Sequence, residues 1–177
     1  VCISEREISI STIGNAKPRG ICGSGLIDLI AQMFLHGYLD KKGRINASHA
    51  ERVRASGEGM EFIVNRPNGS RPIAVSDDDI ASVIRTKAAI YAGCSVLLQS
   101  VDKRFTDLDK VYIAGGFGSY INIENAQTIG LLPDIPRGKF KLLGNGSLGG
   151  ARLCLQSQTM RAEAFDIYSM MTYLDLS

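Results

Sequence analysis

The sequence predicts an α/β fold, and two blocks carry the prediction. Val111-Tyr112-Ile113-Ala114 runs into Gly115-Gly116-Phe117-Gly118, and Lys139-Phe140-Lys141-Leu142-Leu143 runs into Gly144-Asn145-Gly146. A short apolar run closed by turn residues is the pattern of a strand buried in a sheet. Helical sequence follows each block, so the two form a β-α-β-α unit with parallel strands and a right-handed crossover. Both glycine turns then fall on the carboxyl edge of the sheet, where ligands of open α/β sheets bind. The third observation is bulk composition. At 177 residues, 45% hydrophobic and 21% charged, the chain has the make-up of one globular domain, or of one lobe of a larger one.

Composition also narrows the function. The net charge is +2 and the basic residues are scattered, which argues against a nucleic-acid partner. No uninterrupted apolar run approaches the roughly 20 residues that span a bilayer, and no signal peptide is evident, so the expectation is a cytoplasmic protein without a membrane partner. Cys2, Cys22, Cys94 and Cys154 contain no C-x-x-C pair. They are expected to be buried thiols in a reducing compartment, not ligands of zinc or an iron–sulfur cluster. His36 and His49 lie far apart and are expected at the surface. The first residue is Val, and Tyr173-Leu174-Asp175-Leu176-Ser177 resembles a strand cut short, which suggests a piece of a longer polypeptide.

The elements follow in order. Ile3, Ile8, Ile10 and Ile13 alternate with polar residues and predict a short hairpin turning near Ser4 to Arg6. Gly14 to Gly20 is a loop. In Gly20-Ile21-Cys22-Gly23-Ser24-Gly25, Ser24 is placed as an N-cap, and Leu26, Leu29, Ile30, Met33 and Phe34 form the apolar stripe of a helix that Gly37 ends. Asp40-Lys41-Lys42-Gly43 is a turn. Glu61 to Val64 and Pro72 to Val75 pair as a hairpin about Asn68-Gly69. Ser76 and Asp79 make a capping box opening a long helix to about Val101, with Ile80, Val83, Ile84, Ala88, Tyr91 and Leu98 as its apolar stripe. Asn122 caps a short helix stopped by Gly130. A helix carrying Leu148, Ala151, Leu153, Cys154 and Leu155 has Gly149-Gly150-Ala151 at its start, another spans Ala162 to Met171, and Thr172 to Leu176 is a terminal strand.

Several of these residues are candidates for binding. Gly115, Gly116, Phe117 and Gly118 form a turn where a flat ring or a phosphate can approach bare backbone. Gly144 and Asn145 end the second strand in the same manner, and Gly150 and Ala151 open the next helix almost without side chains. Ser24 stands at a helix N-terminus able to hold phosphate oxygens, or in a turn that only packs a helix on a strand. Lys87 is either a solvated cation or a stem lying along the adenosine half of a nucleotide.

Four blocks together resemble one family: Gly20-Ile21-Cys22-Gly23-Ser24-Gly25-Leu26-Ile27-Asp28, Ala88-Ala89-Ile90-Tyr91-Ala92-Gly93, Ile113-Ala114-Gly115-Gly116-Phe117-Gly118 and Leu143-Gly144-Asn145. They resemble the C-terminal region of the reductive activators of corrinoid proteins, ATPases of the ASKHA superfamily that includes acetate kinase, sugar kinases and actin. The resemblance implies a second, RNase H-like lobe with a mixed sheet flanked by helices, and ATP with Mg2+ in a cleft between two lobes. It implies that Gly115, Gly116 and Gly118 are the adenosine turn, that Gly150-Ala151 belongs to the helix crossing between lobes, and that Lys87 lies near the adenine. It also implies that ATP hydrolysis drives an electron from a 2Fe–2S cluster to the cobalt of a corrinoid protein, returning cob(II)alamin to cob(I)alamin.

The chain departs from the family in lacking the Asp-x-Gly-Thr phosphate loop and any cysteine cluster. The metal-binding aspartate, the 2Fe–2S cluster and the first lobe are therefore expected elsewhere in the parent, and the isolated chain is expected to be inactive. The partners implied are that N-terminal lobe, a corrinoid protein and, through an exposed sheet edge, a second copy. Two other readings are an ASKHA lobe serving a dehydratase or a small-molecule kinase reaction, and a non-catalytic docking module whose glycine turns only pack.

Overall fold

The computed structural model describes residues 1–4, 7–49, 51–57, 59–66 and 71–175. The chain divides into two units: Val1–Tyr91 with Asn122–Asp134, and Ala92–Ile121 with Ile135–Ser177. The α/β class holds in both. Strand directions are mixed across three sheets and not within one: two are antiparallel and the third is parallel.

The first unit begins with the predicted hairpin, β1 (Cys2–Ile3) against β2 (Ile8–Ser9). Residues 5 and 6 of its tip lie outside the described residues. Ser4 closes it by donating its N–H to the Glu7 carbonyl at 2.8 Å and accepting the Glu7 N–H on its hydroxyl at 3.2 Å.

Helix α1 (Gly23–Leu35) ends as its glycine requires. Gly37 sits at φ 76°, its N–H bonds to the Phe34 carbonyl at 3.2 Å, and the next N–H, of Tyr38, reaches back to Met33 at 2.8 Å. That pair satisfies two orphan carbonyls of the last turn. The start differs from expectation. The residue before the helix is Cys22, extended and without a side-chain cap, and Ser24 lies inside the first turn. Helical geometry begins as soon as the chain reaches Gly23, two residues too early for Ser24 to cap. The buried face also turns slightly. Ile27 and Ala31 join Leu29, Ile30 and Met33 inside, while Phe34 is exposed.

The Asp40 turn forms as predicted, with the carboxylate accepting the N–H groups of Lys42 at 2.8 Å and Arg44 at 2.9 Å. Beyond it lies a three-stranded antiparallel sheet of β3 (Val53–Ser56), β4 (Gly59–Asn65) and β5 (Ile73–Ser76). The β4–β5 pairing is the predicted one, and its Asn68-Gly69 turn lies outside the described residues. β3 was not predicted. Val53-Arg54-Ala55-Ser56 has little strand preference of its own and forms by pairing with the free edge of β4.

The capping box at Ser76 is complete. The Ser76 N–H donates to the Asp79 carboxylate at 2.9 Å, and the Asp79 N–H donates to the Ser76 hydroxyl at 3.2 Å. Helix α2 (Asp77–Gln99) follows and runs from the first unit into the second. Of its expected apolar stripe only Ile80 is buried; Val83, Ile84 and Leu98 are half-buried, and Ala88 and Tyr91 are exposed. By length and composition alone this helix could cross a membrane, although Arg85 and Lys87 interrupt its apolar sequence.

The last element of the first unit is α4 (Ile123–Thr128), fourth helix in chain order. Asn122 caps it as expected, accepting the Asn125 N–H at 3.0 Å, and Gly130 at φ 71° ends it. Asn125 is a buried polar side chain. It donates to Asp28 at 2.7 Å and accepts from Gln32 at 3.3 Å, fixing α4 on α1. The core of this unit centres on Phe62, Leu29, Met33, Ile63, Ile80 and Val75. Burying a side chain of that size stabilises by roughly 1.5–3 kcal/mol.

The second unit contains β6 (Val111–Ala114), α3 (Phe117–Tyr120), β7 (Phe140–Gly144), α5 (Gly146–Gln156) and α6 (Gln158–Met170). The two strands are parallel, as predicted, but among the described residues they pair only with each other. β6 is therefore not the buried central strand expected: Tyr112 is 59% exposed. Lys139 braces the base of the pair by donating to the carbonyls of Thr106 and Leu108. Ile121, Ile135 and Phe140 are the buried hydrophobic residues described in this unit, while Leu143, Leu148, Leu155 and Phe165 are exposed. Residues 171–175 form no strand, because no edge pairs with them. The cysteines also differ from expectation. Cys2, Cys22 and Cys94 are exposed and Cys154 is half-buried, since each stands on an element face that the chain leaves open.

Candidate functional site

The two strand tips meet in the second unit. Val111, Tyr112 and Ile113 face Phe140, Lys141 and Leu142, and then the register shifts so that Ala114 faces Gly144. The shift brings the two glycine turns side by side. The Gly115 N–H donates to the Gly144 carbonyl at 2.7 Å, with φ of 88° at Gly115 and 64° at Gly144. Both are left-handed conformations that a side chain resists.

The space beside the first turn is open. A Cβ on Gly115 or Gly116 would have no neighbour within 4 Å, and the same holds at Gly149 and Gly150. The second turn is closer packed. A Cβ on Gly146 would come 3.2 Å from the Ala114 Cβ, and one on Gly144 would meet the Ser119 hydroxyl at 3.5 Å. Glycines 115 and 116 thus leave free volume, whereas Gly146 permits a close approach of α5 to β6. The chain enters α3 at Phe117, so Phe117 and Gly118 are helical and not part of a longer loop.

Asn145 caps α5 by accepting the Leu148 N–H at 3.0 Å. It also lines an open hollow of about 490 Å³ with Leu148, Gly149, Ala151, Arg152 and Leu155. No acidic side chain occurs in 115–118 or 144–151. The arrangement can therefore receive an uncharged or weakly polar group on bare main chain, but it supplies no carboxylate for a metal. Among the described residues no group of three or more His, Cys, Asp or Glu side chains is placed to hold a metal ion.

The other two candidates belong to the first unit. Ser24 is half-buried, with its hydroxyl 3.5 Å from the Cys22 thiol. That hydrogen bond, followed by one from the Gly25 backbone, holds the Cys22 thiol below its ordinary pKa. Lys87 is not simply solvated. Its ammonium donates to the Ile129 carbonyl at the end of α4, and a Cβ on Gly130 would come 3.4 Å from it. A cation there complements the negative end of the helix. Lys87 also lines a hollow of about 190 Å³ walled by Ile30, Phe34, Leu39, Ile84 and Ile129.

Of the residues singled out in the sequence, the turns at Gly115-Gly116 and Gly144-Asn145 lie side by side, and Gly150 and Ala151 lie further along α5. Sequence reasoning missed Ser119 and Gly146. Ser119 directly follows Gly118 and Gly146 lies two residues beyond the turn glycine Gly144, and that nearness to the glycine blocks was the available signal.

Paired parallel strands with glycine turns at their tips, each leading into a helix, make this unit an α/β one. A family model described as the C-terminal domain of RACo, the ASKHA domain, matches residues 2–177. The corrinoid activation enzyme RamQ of Eubacterium limosum is 35% identical over 184 residues, covering 97% of this chain and 31% of its own length. A Co(II) methylated amine-specific corrinoid protein reductase of Methanosarcina barkeri is 23% identical over 157 residues, covering 86% of this chain and 25% of its own. A solved structure of a reductive activator for a corrinoid, iron–sulfur protein superposes with a TM-score of 0.93 at 46% identity, over 99% of this chain and 29% of that one. The chain belongs to the RACo C-terminal ASKHA-domain family. It spans under a third of the length of each of these relatives.

Proposed function

We propose that this chain is the adenosine-side lobe of an ATP-dependent reductive activator of a corrinoid protein. The observation that carries the reading is the Gly115–Gly144 junction, two strand tips of bare main chain with open space beside the first of them, in a chain of this family. In the complete polypeptide Gly115 and Gly116 seat the nucleoside, Phe117 and Gly118 begin the helix behind it, and Gly144, Asn145, Gly150 and Ala151 form the adjoining wall. Lys87 serves first as the cation at the end of α4, and its stem borders the hollow beside Ile84. Ser24 orients the Cys22 thiol at the start of α1.

Bound ATP supplies the phosphoanhydride whose hydrolysis drives the electron uphill. The residues described here fit its nucleoside half and not its Mg2+-bound phosphates, because both turns lack a carboxylate. The phosphate loop, the 2Fe–2S cluster and the companion lobe belong, on this reading, to the remaining two thirds of a polypeptide as long as the relatives. The thinly buried core of the second unit supports a companion. Exposed Leu143, Leu148, Leu155 and Phe165 lose solvent when another lobe, or a second copy of the chain, covers them. The client is a corrinoid protein, the chain alone is inactive, and the complete protein works in the cytoplasm.

The test is ATP-dependent reduction of a cob(II)alamin-bearing protein by the complete polypeptide, followed by the cobalt absorption spectrum. Reduction that requires ATP supports the reading. Equal reduction with and without ATP contradicts it.

A further inference from the structure

The first unit carries a second hollow, of about 520 Å³, lined by Ser4, His36, Tyr38, Ser48, His49, Glu51 and Arg52. It gathers both histidines of the chain. The His49 ring rests on Tyr38, with centroids 4.4 Å apart, and Tyr38 in turn meets the edge of the buried Phe62 at 4.9 Å. This aromatic stack anchors one wall to the core. Backbone bonds from the Arg52 and Val53 N–H groups to the His49 carbonyl, at 3.2 and 3.1 Å, hold Arg52 on the same turn.

The Ser4 hydroxyl donates to the Glu7 carbonyl at 3.1 Å, but several other donors in this hollow lack acceptors among the described residues. Arg52 is half-buried, and among the described residues nothing accepts from its guanidinium. The rings of His36 and His49 and the Ser48 hydroxyl likewise have no hydrogen-bond partner among the described residues. A planar guanidinium fork flanked by imidazoles and a hydroxyl suits a group presenting several acceptor oxygens. Glu51 is the one acid among the described lining residues, and it is exposed. The volume falls in the range of small-molecule sites.

We propose that this hollow is a binding site for a small oxyanion, a phosphate or carboxylate group gripped by Arg52 with His49 and His36. It is independent of the nucleotide reading and uses none of its residues.

The experiment titrates the full chain with inorganic phosphate and, separately, with glutarate, at fixed pH, while following imidazole NMR signals. With two histidines in the sequence, both signals can be assigned. The expected result is a saturable shift of the His49 and His36 signals with at least one of the anions, weakened about tenfold or more by Arg52→Gln and partly kept by Arg52→Lys. Lys42→Gln, on another turn, leaves it unchanged and controls for net charge. A shift with phosphate alone assigns a phosphate-bearing ligand, and with glutarate alone a carboxylate. Histidine signals that do not move, or binding that Arg52→Gln leaves intact in a folded chain, overturns the proposal.

Discussion

Gly115 donates its N–H to the carbonyl of Gly144 across 2.7 Å, and both residues hold positive φ. One hydrogen bond thus locks two turns that lie far apart in sequence into a single main-chain surface. The neighbouring Gly116 has the same open space as Gly115 but no left-handed backbone. Alanine separates the two roles. Gly115→Ala is expected to destabilise by about 1–2 kcal/mol through backbone strain, and Gly116→Ala by less than about 0.5 kcal/mol. Urea unfolding of the two variants measures the difference.

A larger side chain at Gly116 tests function instead. Gly116→Val fills the space beside the turn while keeping an allowed backbone. ATP affinity of the complete polypeptide, measured by calorimetry, should fall at least tenfold, with the thermal midpoint nearly unchanged. A variant binding ATP as the parent does would remove Gly116 from the nucleoside seat.

Lys87 carries a structural role that can be isolated. Lys87→Met keeps the stem but removes the cation at the Ile129 carbonyl. The expected loss is about 0.3–1 kcal/mol of stability, in line with a charge at a helix terminus.

Asn125 is the buried polar link between α4 and α1. Asn125→Ala leaves the Asp28 carboxylate and the Gln32 amide without their partner. A cost of about 1–3 kcal/mol follows from stranding such groups. Chemical denaturation reads it, and Asp28→Asn should cost less because Asn125 keeps an acceptor.

The Asp40 turn is sensitive to acid. The Arg44 N–H is the largest cause holding the Asp40 carboxyl below its ordinary value of 3.8. Because the folded pKa is the lower one, the turn is fully supported above pH 3.8 and loses support as pH falls through the depressed folded value. Amide exchange at Lys42 and Arg44, corrected for intrinsic rates, should accelerate in that window and not in Asp40→Asn.

Much of this was legible in the residues, and the reason is local. The capping box at Ser76, the Gly37 and Gly130 helix ends and the two strand–glycine–helix blocks are all set by backbone requirements within a few residues. What could not be read depends on distant partners. β3 exists because β4 offers an edge, and Lys87 finds the Ile129 carbonyl 42 residues away. An apolar stripe shows that a face favours cover, not that the chain supplies it, so Ala88 and Tyr91 were expected inside and lie outside. Ser24 lost the cap to Cys22 by a shift of the helix start too small for sequence patterns to fix.

The seating of a nucleoside on the two strand tips is tested most directly by amide hydrogen exchange in the complete polypeptide, with and without ADP. The account predicts that ADP slows exchange both at 115–118 and at 146–151, the two stretches that the Gly115–Gly144 bond brings together. Saturating ADP that leaves both stretches exchanging at their free rates would contradict it.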